Sequence, residues 1–519
     1  MFLLPFALIL ALTGCKKNFQ DLTINNNKPN SLPSSLLFNG VLNDLAVLPE
    51  GQEEIWDQYY LYNYDYYGNN RYDFSSGTTN YTSLINVQNM EAQAIAGGSP
   101  AVNAYSAMGK FFRAYFFSQM SLEMGDIPMT NALKGTANLT PSYDTQKAVM
   151  IQSLAWLESA NRDLNSLIAS GTTTIDGDMY YGGDLTKWQK AVNTFHVRLL
   201  LLLSKKALDA DLNLPAQFAA IIGNASKYPL MASNADNLQY TFVSPTNYYP
   251  ENPDNFGQNG SRKNTSATYI SLLTKLQDPR VFVTAEPARY LVDVMHQSPT
   301  SFSSFVGADP GQDLGIMYNN AGLQKYSFIN RKHYFSTYLG EPSVQIGYSE
   351  LEFNIAEGMN LGWAAGDASV PYAAGIQASM VSYSIPVSGT FTASFYRPGS
   401  AGISVASNYD TYPISFDLPT YMSQAGVKYV AGNAGLTEIA QQKYLALFRH
   451  SGLVSYFNYR KTGIPAFTTG PGTGNSSRIA SRFQYPSSEI TGNSANYKAA
   501  LAAQFGGNDD INGVMWILK

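Results

Sequence analysis

The sequence predicts a mainly α chain, built from helix pairs that are separated by long loop-rich segments with few short strands. Three observations predict it. Apolar residues recur at steps of three and four in several separate windows. Segments rich in Gly, Asn and Pro lie between them, at 53–80, 240–265, 296–341, 384–434 and 463–496, and structureless stretches of that length usually carry function. Strands do not alternate with helices, which excludes a Rossmann fold and a TIM barrel.

The N-terminus reads as an address. "FLLPFALILAL" (2–12) is too short to span a bilayer and suits the apolar core of a signal peptide. "LTGC" (12–15) follows, with small Thr13 and Gly14 before Cys15, the only cysteine of the 519 residues. This pattern is that of a bacterial lipobox, in which the cysteine thiol receives the lipid. No Lys or Arg precedes the apolar run, so an upstream start codon stays open. Residues 1–14 are therefore expected to be a lipoprotein signal peptide. Residues 15–33, polar and carrying two prolines, are expected to be a lipidated tether.

The helices follow in order. Residues 100–122 run without a breaker after Pro100 except Gly109. Asp144 is the expected N-cap of 144–168, where Ile151, Leu154, Leu157, Leu164 and Leu167 share a face. Asp184 is the expected cap of 184–208, with Leu185, Trp188, Val192, Phe195, Leu199 and Leu202 in its stripe. The windows 347–363 and 368–382, joined by "AAGD", and then 435–449 and 452–461 complete the series. Most form helix–turn–helix pairs of roughly tetratricopeptide size, without that repeat's consensus. Arg113 and Arg198 fall inside apolar helices and are expected to pair with buried carboxylates or helix-end carbonyls.

Composition narrows the function. Charged residues make up 14%, against about 25% in an average domain. The net charge is −5 and there is no basic run, which argues against nucleic acid. A neutral polar surface rich in aromatics suits neutral, hydroxyl-rich ligands. His196, His296, His333 and His450 are scattered, and no serine elbow, dinucleotide fingerprint or phosphate loop is present. "DGDMYYGGD" (176–184) lacks the last carboxylate of a calcium loop and reads as a turn followed by an N-cap. No cofactor or metal is expected.

"WDQYYLYNYDYYGNNRYDF" (56–74) holds nine aromatic residues, seven of them Tyr. Trp56, Tyr59 and Tyr60 fit one helix face in the core. Beyond them periodicity is lost, and Tyr64, Tyr66, Tyr67 and Tyr72 become loop aromatics. A sugar ring stacks its C–H face on such rings, while Asp65, Asn69, Asn70 and Arg71 offer polar partners. The competing reading is that these rings seal the loop onto the globule. "SPTNYYPENPDNFGQNG" (244–260) supplies a second candidate set in Tyr248, Tyr249, Asn252 and Phe256, and "MYNNAG" (317–322) a third.

Several segments together resemble the SusD/RagB family of Bacteroidetes outer-membrane lipoproteins, and within it the SusD-like subgroup. They are "FRAYFFSQMSLEMGDIPMTNAL" (112–133), "PSYDTQKAVMIQSLAWLESANRDL" (141–164) and "GDMYYGGDLTKWQKAVNTFHVRLLL" (177–201), followed by "YSELEFNIAEGMNLGWAAGDASVPYAAGIQASM" (348–380), "IAQQKYLALF…YFNYRKTGIP" (439–465) and "SRFQYPSSE" (481–489). Gly358 departs from the alanine that often follows the family's Ala-Glu pair, and Tyr456 or Tyr459 stands where Trp is usual. The resemblance implies four tetratricopeptide-like helix pairs packed against a loop-rich region, with residues 34–519 as one nutrient-binding domain. It implies a non-catalytic lipoprotein, anchored in the outer membrane and facing the cell surface. Such a protein passes oligosaccharides to a SusC-like TonB-dependent transporter. A peptide-binding subunit of the RagB type and a helical glycoside hydrolase remain as alternatives. The family's ligand-contacting loops are its least shared part, so the ligand itself does not carry over.

Overall fold

A computed structural model describes residues 32–49, 51–449 and 451–519. Cys15, the apolar run before it and the tether as far as residue 31 lie outside the described residues. Ten helices build the scaffold: α1 (Ser34–Leu45), α2 (Tyr81–Ala96), α3 (Ala104–Met124), α4 (Gln146–Ala169), α5 (Leu185–Leu202), α6 (Leu214–Gly223), α7 (Tyr348–Asn360), α8 (Ser369–Ser382), α9 (Asn433–Ala446) and α10 (Val454–Thr462). Each of α1 to α5 packs on the next. The path then passes from α5 to α7, which packs on α8 and α9, and α10 returns to α5. This is the mainly α architecture that the periodicity predicts. No described helix is long and apolar enough to cross a membrane.

The helix starts explain the motifs. Asp184 caps α5, accepting from the Thr186 and Lys187 amides (2.8 and 3.3 Å). Asp178 gathers the Tyr180 and Gly183 amides and the Trp188 indole (2.8, 2.9 and 2.9 Å), so both acids are taken up by a turn and a cap. At α4 the expected cap is displaced by one residue. Thr145 accepts from the Ala148 amide (3.2 Å). Asp144 instead accepts from the Met129 and Thr130 amides (both 2.9 Å), because it pairs with Ile127 in an antiparallel bridge. Asp126 then accepts from the Gln146 amide (2.7 Å), and Gln146 donates to the Ser121 carbonyl (2.7 Å), locking the end of α3 to the start of α4. Burial raises the Asp126 carboxyl to about 6.

Ion pairs tie neighbouring helices. Arg113 on α3 forks onto Glu91 on α2. Arg198 on α5 meets Glu350 on α7 (Nε to Oε1 2.7 Å), both almost fully buried. Glu357 on α7 sits between Lys443 on α9 and Lys461 on α10. The expectation of a buried carboxylate partner is met at Arg198, whereas the pair that Arg113 makes with Glu91 is only half-buried. Gly358 has a reason too: a Cβ there would overlap the ring of Phe218, a buried residue of α6.

Two hydrophobic cores result. The first joins α1–α6 to the C-terminal segment, around Phe112, Trp188, Tyr456 and Phe483. The second fills the loop-rich region, around Tyr59, Tyr269, Phe335, Tyr372 and Phe448. Helix α7 belongs to both, with Leu351 in the first core and Phe353 and Ala356 in the second.

The loop-rich region holds three two-stranded antiparallel sheets: β1 (Tyr60–Tyr62) with β3 (Lys263–Thr265), β2 (Leu238–Tyr240) with β4 (Ser343–Ile346), and β5 (Ser388–Tyr396) with β6 (Tyr409–Asp417). Two sequence expectations are corrected here. Residues 56–60 are not one helix face, since a short helix ends at Trp56 and β1 begins at Tyr60. The segment 384–434 is not a loop, since most of it is the β5–β6 hairpin. Tyr59 and Tyr60 are nonetheless fully buried, as expected of core residues.

Candidate functional site

The first candidate loop leaves β1 at Tyr62 and returns at Asn70. The Asn70 side chain closes it, accepting from the Tyr62 amide (2.8 Å) and donating to the Tyr62 carbonyl (2.9 Å), as a paired strand would. Gly68 lets the Tyr62 ring pass, because a Cβ at 68 would overlap it. Between these ends a turn closed by the Tyr67 amide and the Tyr64 carbonyl (3.1 Å) projects three tyrosines. Tyr64, Tyr66 and Tyr67 are 40%, 82% and 38% exposed. Their ring centroids lie 5.6 to 6.4 Å apart. None of the three hydroxyls bonds a described residue.

The third candidate segment meets them. "MYNNAG" is not a loop but the end of a helix (Leu314–Gly322) capped by Asp313. Its Met317 is buried beneath the first loop, within reach of Asn70 (3.8 Å), while exposed Tyr318 sets its ring 5.0 Å from that of Tyr64, tilted by 36°. Arg262 lies over Tyr67 at 4.4 Å. Tyr67 and Tyr318 form one rim of a pocket of about 420 Å³, whose walls include Asn63, Arg289, Phe328, Arg331 and Tyr396. Arg331 is held between Phe328 and Tyr396 (5.3 and 5.2 Å) and pairs with Glu286. The arrangement offers flat faces beside fixed donors, which is what a ring with hydroxyls requires.

The remaining candidates are placed elsewhere. Asn70 is buried and both ends of its amide close the loop, so it is no ligand donor. Asn69 accepts from the Arg71 amide (3.0 Å), and Arg71 pairs with Asp73, which fixes the segment on either side of buried Tyr72. Tyr249 is fully buried in the second core, edge-on to Phe242 (5.0 Å), and burial pushes its phenol well above the usual range. Asn252 is also buried, donating to the Tyr249 carbonyl (2.8 Å) and accepting from the Asp254 amide (3.0 Å). Tyr248 is exposed but lies against Tyr338 (4.5 Å), whose hydroxyl donates to Asp254 (2.9 Å). Phe256 packs on Phe335 and Tyr396 (5.6 and 5.2 Å). The second loop thus reaches the site through its end, Ser261 and Arg262, and not through its tyrosines. Sequence reasoning missed Arg262, Arg289, Arg331 and Tyr396, because they come from separate segments with no local signal.

A second cavity of similar volume, about 420 Å³, is bordered by Tyr115, Glu123 and Arg198 against the helical core. Three of its four charged groups are already engaged: Arg198 with Glu350 and the Gln345 carbonyl, Glu123 with the Thr78 amide (2.7 Å), and Asp44 with the Ser83 hydroxyl (2.7 Å). The tyrosine cluster is therefore the stronger candidate.

Comparison with known proteins follows the same lines. Residues 26–486 match the model of a family described as SusD-like, starch-binding and associating with the outer membrane. Among solved structures, a SusD homolog from Bacteroides fragilis is 31% identical, with a TM-score of 0.79 over 94% of this chain and 100% of that one. A further SusD homolog from Bacteroides fragilis is 27% identical, with a TM-score of 0.76 over 94% and 100%. A chitin-binding SusD homolog from Flavobacterium johnsoniae shares the fold, with 20% identity and a TM-score of 0.68 over 94% and 98%. A comparison with curated proteins gives no match.

Proposed function

The chain belongs to the SusD-like family, and from that premise we propose that it captures oligosaccharides on the Tyr64, Tyr66, Tyr67 and Tyr318 platform and delivers them to a SusC-like TonB-dependent transporter of the outer membrane. In this reading residues 1–14 are removed as a signal peptide, and Cys15 becomes the lipidated first residue. Residues 15–33 tether the binding domain, residues 34–519, to the cell surface. A tethered binder alone only raises local ligand concentration, whereas one that closes over a transporter mouth commits its ligand to import.

One observation carries the binding half: four exposed rings from two distant segments stand together beside a polar pocket, with three of their hydroxyls unengaged. The chitin-binding relative points to the same ligand class. We read the site as non-catalytic. Glycoside hydrolysis needs two carboxyl groups facing the scissile bond, and Glu286, behind the pocket wall, is 1% exposed and locked to Arg331.

The test is binding of an oligosaccharide panel to the wild type and to the double variant Tyr66→Ala, Tyr67→Ala. Stacking is worth about 1–3 kcal/mol per ring by analogy with bases, so losing two should weaken binding roughly tenfold to ten-thousandfold. The thermal melt should stay nearly unchanged. Unchanged affinity would remove the platform from the site, and turnover of any sugar would replace binding by catalysis. Recovery of the chain alone in mild detergent, where other outer-membrane complexes survive, would count against delivery to a transporter.

A further inference from the structure

We infer that the platform is built for an acidic sugar, an oligosaccharide whose carboxylate or sulfate ester is taken by Arg262, Arg289 and Arg331. The inference rests on the glycan-binding reading and names the class of glycan. Overall the chain is short of charge and carries −5. The pocket under the platform has the opposite character, since its walls include Arg289 and Arg331 and no Asp or Glu among the described residues.

The geometry of the three guanidinium groups carries the argument. Arg331 uses Nε (2.9 Å) and Nη2 on Glu286, which lies behind it, almost fully buried. Arg289 uses Nε and Nη2 on Asp293 (3.0 and 2.6 Å), an acid that is 45% exposed. In both, Nη1 makes no hydrogen bond among the described residues. Arg262 gives Nη1 to Asn259 (3.2 Å), while its Nε is buried without a partner. It has no carboxylate partner among the described residues. Three cations thus have two carboxylate partners, Arg289 and Arg331 keep an unused Nη1 in the walls that Tyr67 and Tyr318 also line, and Arg262 adds its charge over the Tyr67 ring.

A sugar hydroxyl could accept those hydrogens, but it would leave the surplus charge uncompensated. A carboxylate or sulfate oxygen satisfies both demands, and bonds between ionised partners are roughly twice as strong as neutral ones. The pyranose ring that carries the acid still stacks on the tyrosines. Exposed flat faces favour a sugar over an acidic peptide, whose backbone has no comparable face to offer.

The experiment is calorimetric titration of the purified chain with four probes of matched length: an oligogalacturonate, a sulfated dextran oligomer, a neutral dextrin and an oligoglutamate. Each is run at about 50 and 300 mM salt, which shortens the screening length by a factor of about 2.4. At low salt an acidic sugar should bind at least about tenfold more tightly than the neutral one, and the gap should narrow at high salt. Whether oligogalacturonate or sulfated dextran leads identifies the anion. Arg262→Gln and Arg289→Gln should each weaken acidic-sugar binding by about tenfold or more and lower neutral-sugar affinity by a smaller factor, so that the preference for the acidic sugar shrinks. Arg289→Lys should restore part of the loss. If neutral dextrin binds as tightly as both acidic sugars, and loses affinity in Tyr66→Ala, Tyr67→Ala, the inference falls while the glycan reading stands. Binding of oligoglutamate alone overturns both, and so does the absence of binding by any probe. The wild-type comparison across ligands and salt decides the matter even if an arginine variant fails to fold.

Discussion

The stretch from Trp56 to Phe74 divides into two kinds of tyrosine. At its ends, Tyr59 and Tyr72 are buried and their hydroxyls are bonded. The Tyr59 hydroxyl reaches the Tyr444 carbonyl (2.8 Å) and Ser455 (2.6 Å), and that of Tyr72 donates to the Trp56 carbonyl (2.6 Å). In its middle, Tyr64, Tyr66 and Tyr67 keep their hydroxyls in solvent and touch mainly one another. The residue type is the same and the role is opposite. What separates them is where the chain turns: β1 and the Arg71–Phe74 segment run along the cores, while the turn between them leaves the surface. Tyrosine serves both because its ring suits a core and its hydroxyl suits water.

The comparison can be broken by substitution, and the largest effect should come from the buried set. Tyr59 stacks on Tyr444 (4.7 Å) and meets Tyr269 edge-on (5.7 Å). Tyr59→Ala should cost about 3–5 kcal/mol of stability, the usual penalty for emptying a large aromatic site, as read by urea unfolding. A loss below 1 kcal/mol would mean that the ring is not part of the core.

The next effect is pH-dependent and tests how firmly the seam behind the second core is held. Burial alone would raise the Glu357 carboxyl, but Lys443 and Lys461 beside it more than reverse this and hold it at about 2. Its folded value thus lies below the ordinary 4.5. The stability it contributes is complete above about 4.5 and is lost as pH falls from there through about 2. Glu357→Gln should cost about 3 kcal/mol at neutral pH and flatten the fall in melting temperature over that acid window. An unchanged acid limb in calorimetry would assign it to other carboxylates.

The smallest effects sharpen the contrast most, because only a hydroxyl is removed. Tyr72→Phe deletes a buried hydrogen bond and should cost about 1 kcal/mol. Tyr66→Phe should change stability by less than about 0.5 kcal/mol and leave ring stacking intact. Equal losses in the two variants would erase the distinction between the halves.

The scaffold was legible where one apolar stripe spans a whole helix, as Leu185, Trp188, Val192, Phe195 and Leu199 do in α5. Helices α1 and α2 went unread, although Phe38, Val41, Leu42 and Leu45, and then Leu84, Val87 and Met90, recur at helical steps. Neither start carries a side-chain cap, and the Asn-Gly pair inside α1 reads as a turn. The β5–β6 hairpin was hidden because Ser and Thr alternate with its inward residues and Pro413 interrupts β6. At the site, the exposed tyrosines share one turn and could be read locally. Tyr318 and the three arginines come from segments that only the tertiary fold brings near. Tyr249 and Asn252 sit in a loop sequence that looks exposed, yet the fold lays that loop over the second core.

The Asn70 clamp has a kinetic consequence. Because its amide holds both the Tyr62 amide and the Tyr62 carbonyl, the turn between them is shaped before any ligand arrives. The ordering cost of the rings is met during folding and not at encounter. A passing sugar then finds a finished surface, so association rates should differ little among glycans of the same charge. Discrimination among glycans falls to how long each one stays. A binder that must release its cargo can then adjust residence time through side chains on the rim, without remaking the loop.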